Sequence, residues 1–184
     1  MNTPPTEKTW IVFISSFPPR ECGIATFTAD LVEHFDAQFI PREETKVIAL
    51  NAEGFEETSY SNKVIFQISE NNPEEYATAA RQLNDIPHVK LVSVQHEFGL
   101  FGQNDGEHIL IFLNEIKKPV TVTLHTVLPN PSENQKRVVC GILEKSERVI
   151  VMTHTSEDLL KSVYGASAEK IKVIPHGIHS RPYT

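Results

Sequence analysis

The sequence predicts an α/β protein built on a doubly wound, mostly parallel sheet with helices on both faces. Three observations lead there. Short apolar, β-branched runs recur along the chain. Segments with apolar residues every three or four positions lie between them, giving the alternation of strand and helix that parallel sheets require. Runs such as 120–124 are near-continuously hydrophobic, as strands covered on both faces are. A chain of 184 residues with 40% hydrophobic content fills the core of one ordinary domain.

The expected strands are residues 10–15, 46–51, 64–68, 90–95, 120–124, 148–152 and 170–174. After the first, Ile24, Phe27, Leu31 and Phe35 form the apolar stripe of a helix. Residues 52–62 are an acidic loop without a period. The next helix has the clearest start, with Asn72 as N-cap, Pro73 at the first helical position and Glu75 closing a capping box ahead of Tyr76, Ala80 and Leu83. Asp105 is expected to cap the helix carrying Ile109, Phe112 and Ile116. Asn130, Pro131 and Glu133 repeat the Asn72 pattern, and Thr155 with Asp158 opens a short helix that Gly165 closes.

Composition removes whole classes of function. A net charge of −7 leaves no footprint for nucleic acid and is repelled by an anionic bilayer. The first eight residues are polar and hold Pro4 and Pro5, so they lack the apolar centre of a signal peptide. No later run is long enough to span a membrane, and a cytoplasmic protein is expected. Cys22 and Cys140 match no metal or redox spacing and are expected as free thiols.

In an open doubly wound sheet the ligand crevice lies beyond the carboxyl ends of the strands, so the residues following each strand carry the chemistry. Four of the eight histidines stand there: His96, His125, His154 and His176. His96 and His125, from two such strand ends, are expected to converge with Glu97 and offer hydrogen bonds or a proton-transfer pair. His154 and His176 read as loop or capping histidines. The first strand leads through Phe17-Pro18-Pro19-Arg20-Glu21-Cys22 to Gly23 at a helix start, where backbone N–H groups can receive a diphosphate; a plain tight turn is the equal alternative. There is no G-x-G-x-x-G, no acid ending the second strand and no Walker A lysine, which disfavours dinucleotide and P-loop functions. Leu100 stands where a zincin helix needs its second histidine, so a metal site is not expected.

Taken together, these segments resemble the N-terminal domain of family 4 glycosyltransferases. The resemblance rests on Phe17-Pro18-Pro19-Arg20-Glu21-Cys22-Gly23-Ile24-Ala25-Thr26-Phe27, Val94-Gln95-His96-Glu97-Phe98-Gly99, Thr123-Leu124-His125-Thr126, Val149-Ile150-Val151-Met152 and Val173-Ile174-Pro175-His176-Gly177-Ile178, in an order and spacing that span nearly the whole chain. It implies the Rossmann-like, acceptor-side half of a GT-B enzyme. Such an enzyme moves a sugar from a nucleotide-sugar donor to a carbohydrate or other hydroxyl acceptor with retention and needs neither metal nor cofactor. By resemblance, Gly23 approaches the donor diphosphate, His125 touches the donor sugar, and His96 with Glu97 faces the acceptor. Residues 1–9 would be a flexible N-terminus, 10–177 the domain, and 178–184 the start of a linker to an absent C-terminal donor domain, present in cis or as a separate chain. On that expectation the chain alone is inactive. Glu107 and Glu115 show a Glu-x7-Glu spacing known from GT-B enzymes, but the family carries it in the second domain, and here it reads as solvated helix surface. The competing expectations are another GT-B enzyme such as a sugar-nucleotide epimerase, or a non-catalytic carbohydrate-binding or scaffolding domain.

Overall fold

A computed structural model describes residues 8–39, 42–54 and 59–177. All seven expected strands are present: β1 (Thr9–Ser15), β2 (Glu43–Asn51), β3 (Val64–Ser69), β4 (Val89–His96), β5 (Val120–Leu124), β6 (Arg148–Val151) and β7 (Ile171–Val173). They form one sheet in the order β3-β2-β1-β4-β5-β6-β7, and every neighbouring pair is parallel. The helices are α1 (Gly23–Phe39), α2 (Pro73–Asn84), the single turn α3 (Gln103–Gly106), α4 (Ile109–Glu115), α5 (Glu133–Lys145) and α6 (His154–Ser162).

Side chains alternate across each strand, and this splits the interior in two. Val12, Ile14, Ile48, Leu50, Val92, Val94, Val122 and Val149 meet α2, α4, α5 and α6 in the larger core. Ile11, Phe13, Val47 and Ala49 meet α1 in a smaller one on the opposite face. The expected helix stripe of α1 packs against the core only in part, with Leu31 and Phe35 on the smaller cluster and Ile24 on the larger. Ala25, Thr28 and Val32 are its buried positions, and Ile24, Phe27, Leu31 and Phe35 are only half-buried along its flanks. Small side chains let the helix sit close to the sheet, with Thr28 Oγ1 2.7 Å from the buried Ser15 hydroxyl.

Several helix starts differ from expectation. Asn72 does cap α2, accepting from Glu74 N, with Pro73 at the first helical position. Glu75 does not complete the box on the cap's backbone; it accepts from Asn72 Nδ2 and from Ser69 N. Asp105 does not cap α4, whose N-cap is His108. With Asn104 it lies in the left-handed region, where the side chains of Asn134 and Gln135 hold it. The cap of α5 is Ser132 rather than Asn130, with a full capping box to Gln135. The cap of α6 is Thr153 rather than Thr155. In both cases a hydroxyl sits three residues before its backbone donor, a geometry that Asn130 and Thr155 are not placed to make. Ser132→Ala removes one half of a reciprocal pair and is expected to lower stability by about 1 kcal/mol, read as a shift in the urea midpoint at constant slope.

Candidate functional site

The order of the sheet reverses between β1 and β4, so the crevice opens beyond the carboxyl ends of these two strands. On the β1 side the chain reaches α1 through Cys22, which caps the helix in an unusual way. Its carbonyl accepts from Thr26 N at 3.1 Å, and its sulfur lies 3.3 Å from Ala25 N and 3.1 Å from Ser16 Oγ. Gly23 follows as the first helical residue. A Cβ added there would meet nothing within 4 Å, and its φ is ordinary, so neither packing nor backbone demands glycine. Its missing side chain instead leaves open the space over the helix start.

On the other side, β4 and β5 deliver Gln95 and His125. Ser93 pairs with Phe13 across the sheet, which puts Ser93 and Gln95 on the α1 face. Gln95 Nε2 donates to Ser93 Oγ at 3.2 Å, so its carbonyl oxygen is the atom 3.1 Å from His125 Nε2. The His125 Nε2 therefore carries the proton, and Nδ1 is left as an acceptor. The His125 backbone N donates to the His96 carbonyl at 3.0 Å, which ties the two strand ends together. Burial lowers the His125 pKa, the Glu97 carboxylate pulls it partly back up, and His176 adds a smaller push downward. The imidazole is neutral near pH 7. Glu97 accepts from Thr126 Oγ1 at 2.6 Å and from Phe98 N at 2.9 Å, which fixes its carboxylate beside the crevice.

His96 does not join them. Its neighbours on β4, Val92 and Val94, face the larger core, and the two-residue period sends His96 to that side, away from Gln95. It is 0% exposed, stacked on Phe101 with a centroid distance of 5.6 Å and perpendicular to Phe98 at 5.4 Å. Neither ring nitrogen reaches a hydrogen-bond partner. Burial above all, with a smaller contribution from His125, pushes its pKa down to about 3. The imidazole presents no surface to a ligand, contrary to the expected convergence with His125.

His176, read as a loop histidine, stands in the crevice. Phe27 meets His125 and His176 edge-on, each with a centroid distance of 4.9 Å. Beyond Phe27 a groove of about 730 Å³ runs along α1 past Thr26, Asp30, Leu31 and His34, closed by His176 and Gly177. His154 lies apart on the surface, paired with Glu157. Glu107 also lies apart, before α4, accepting from Arg137 and from Asn104 Nδ2. Cys22 and Cys140 are free thiols, and among the described residues no group of three or more His, Cys, Asp or Glu converges at metal-binding range. No helix among the described residues is long and apolar enough to cross a membrane. Sequence reasoning missed Gln95 and Phe27 as parts of this site. Gln95 was visible as an amide near the end of a strand, whereas Phe27 matched a core stripe.

A search of the curated proteins finds no match. Among solved structures the chain is similar to a glycosyltransferase from Rickettsia africae ESF-5, with a TM-score of 0.61 at 13% identity, over 94% of this chain and 44% of that one. At that identity the likeness is one of fold, and the chain spans less than half the length of that protein. The model described as Glycosyltransferase Family 4 matches residues 22–181. That match runs from the Cys22 cap through Gly23 and His125 to the groove wall at His176, and on it the chain belongs to Glycosyltransferase Family 4.

Proposed function

We propose that this chain is the acceptor-side, N-terminal half of a two-domain glycosyltransferase that moves a sugar from a nucleotide donor to a hydroxyl acceptor, with retention and without a required metal. The observation that carries the reading is the pairing, across the strand-order reversal, of an open helix start at Gly23 with an oriented, neutral His125. The first-turn N–H groups of a helix have no intrahelical partner, and the helix dipole adds partial positive charge, so the donor diphosphate sits over Gly23. His125 Nδ1 accepts from a hydroxyl of the transferred sugar while Gln95 holds the ring. Glu97 keeps lone pairs beyond those used by Thr126 and Phe98, and with them it receives the acceptor hydroxyl. His96 supports that segment from beneath rather than touching the acceptor itself. The base of the nucleotide and the charge of the departing diphosphate call for a second domain, in cis or as a separate chain.

Two measurements test this. The purified chain alone is expected to turn over no nucleotide sugar, because a half-built site lacks most of the preorganised charge that the step needs. In the complete protein, Gly23→Val puts its Cβ where nothing lies within 4 Å, so the melting temperature is expected to change little while KM for the nucleotide sugar rises about tenfold or more. Turnover by the chain alone, or a Gly23→Val protein with unchanged KM, sinks the assignment.

A further inference from the structure

The loop that carries the chain from β1 to Gly23 is tied down by one side chain. Arg20 N donates to the carbonyl of the buried Phe17 at 3.1 Å, and the Arg20 carbonyl accepts from Cys22 N at 3.2 Å, so the main chain of Arg20 leads directly into the start of α1. Its guanidinium reaches over the end of β2. There Nη1 donates to the Leu50 carbonyl at 3.3 Å and to Glu70 Oε2 at 3.0 Å. The two charged side chains are 21% and 17% exposed, so water and salt screen this pair less than one on an open surface.

Glu70 is in turn held by three other segments. Its N donates to the Asn51 carbonyl at 2.9 Å, and its own carbonyl accepts from Tyr76 Oη at 3.0 Å and from His108 Nδ1 at 3.1 Å. Gly102 lies against the same carbonyl. A Cβ there would stand 2.7 Å from it and closer still to the His108 ring, and the φ of +80° is one that other residues rarely adopt. The loops after β1, β3 and β4 therefore meet at Glu70, and the last of them begins with Glu97.

On the transferase reading given above, we propose that Arg20 and Glu70 are positioning residues that set the affinity for the donor diphosphate. The pair touches no substrate atom. It holds the Arg20 main chain, and through Cys22 it fixes where the loop delivers Gly23 and the first-turn N–H groups of α1. The guanidinium, spent on Leu50 and Glu70, anchors the diphosphate cradle from behind and is not one of its ligands. Without the pair the helix start still forms but is presented in several directions, so the donor binds more weakly and reacts as before once bound.

The test joins a double-mutant cycle in the complete protein to hydrogen exchange in the chain itself. Methionine keeps the stem of either side chain and removes its charge. The donors offered are uridine diphosphate glucose, guanosine diphosphate mannose and adenosine diphosphate glucose. Arg20→Met and Glu70→Met are each expected to raise KM for the donor that is turned over about tenfold, with kcat changed by less than about twofold. The double variant is expected to show a rise of about tenfold and not about a hundredfold, and Arg20→Lys, which keeps the ion pair, to recover most of the loss. In the purified chain the Arg20 and Cys22 amides are expected to exchange about tenfold faster in either methionine variant, while the α5 amides keep their rate. Additive KM effects, a Glu70→Met protein with unchanged or lowered KM, an equal fall in kcat, or unchanged exchange at Arg20 and Cys22 would each overturn the inference. A uniform acceleration that includes α5 would do so too, since the pair would then serve overall stability alone. The exchange measurement contains no nucleotide sugar. If exchange quickens at Arg20 and Cys22 and the wild type turns over none of the three donors, the transferase reading fails alone; if a donor is turned over and the cycle is additive, the positioning inference fails alone.

Discussion

Replacing His96 with phenylalanine is expected to flatten the loss of stability that the chain suffers between pH 7 and pH 4.5. Burial holds the His96 pKa near 3 in the folded chain, against an ordinary value of 6.5. Between these values the unfolded chain binds a proton that the folded one refuses. The stability linked to His96 is therefore complete above pH 6.5 and is lost as pH falls toward 3, at about 1.4 kcal/mol per pH unit. From pH 7 to pH 4.5 the loss amounts to about 2.5 kcal/mol, enough to dominate the acid side of a marginally stable domain. His125, whose pKa burial also lowers, adds to the slope and remains in the variant. Urea midpoints of the wild type and of His96→Phe at the two pH values give the comparison, and any constant cost of fitting a larger ring cancels in the difference. His96→Leu provides a second variant with the same expected flattening. An unchanged pH difference in both would mean that His96 is protonated without penalty in the fold.

On the transferase reading proposed above, His125→Ala in the complete protein is expected to lower kcat by about a hundredfold, or roughly 3 kcal/mol, the loss typical of one preorganised polar group. The ring is held from two directions: Gln95 fixes its proton on Nε2, and Phe27 packs against its face or edge at 4.9 Å. A group so held spends little reorganisation in the reaction, and in a closed cleft its hydrogen bond to a sugar hydroxyl is worth more than in water. Gln95→Leu, which keeps the volume but releases the proton to either nitrogen, is expected to reproduce part of the loss. If His125 serves only its loop, the alanine variant melts earlier and its folded fraction keeps its kcat. Steady-state kinetics and a melting curve on one preparation separate these outcomes.

The seven strands were legible because parallel strands covered by helices carry short apolar, β-branched runs, and these recur between segments of helical period. Their ends were legible too, since the glycine, proline and asparagine that break them are sequence signals. What could not be read was which way a given side chain turns at such an end. Gln95, His96 and Glu97 are consecutive and looked like one cluster, yet the period of a strand sends His96 into the larger core and Gln95 to the crevice. The direction becomes evident only once Phe13 is known to pair with Ser93. The same blindness affected α1. Its large apolar residues gave the strongest periodic signal, and Leu31 and Phe35 do pack against the core, but the fully buried positions are Ala25, Thr28 and Val32, because close packing against a sheet favours smaller side chains that a hydrophobicity pattern scarcely weighs. The α5 start was misplaced by two residues because Asn-Pro outranked a serine whose partner, Gln135, stood three positions on, and the α6 start by two because Thr155 was read in place of Thr153.

The two registers of α1 have a consequence for how such a protein can change over time. Positions 25, 28 and 32 anchor the helix, while 26, 30 and 34 face the groove and touch little of the interior. The two sets interleave on one element without sharing a face, so drift at the second set leaves the first untouched. The lining of the groove and structural integrity are thereby carried by separate letters of one short word. A lineage can respell positions 26, 30 and 34 one at a time without touching the buried anchors of the helix.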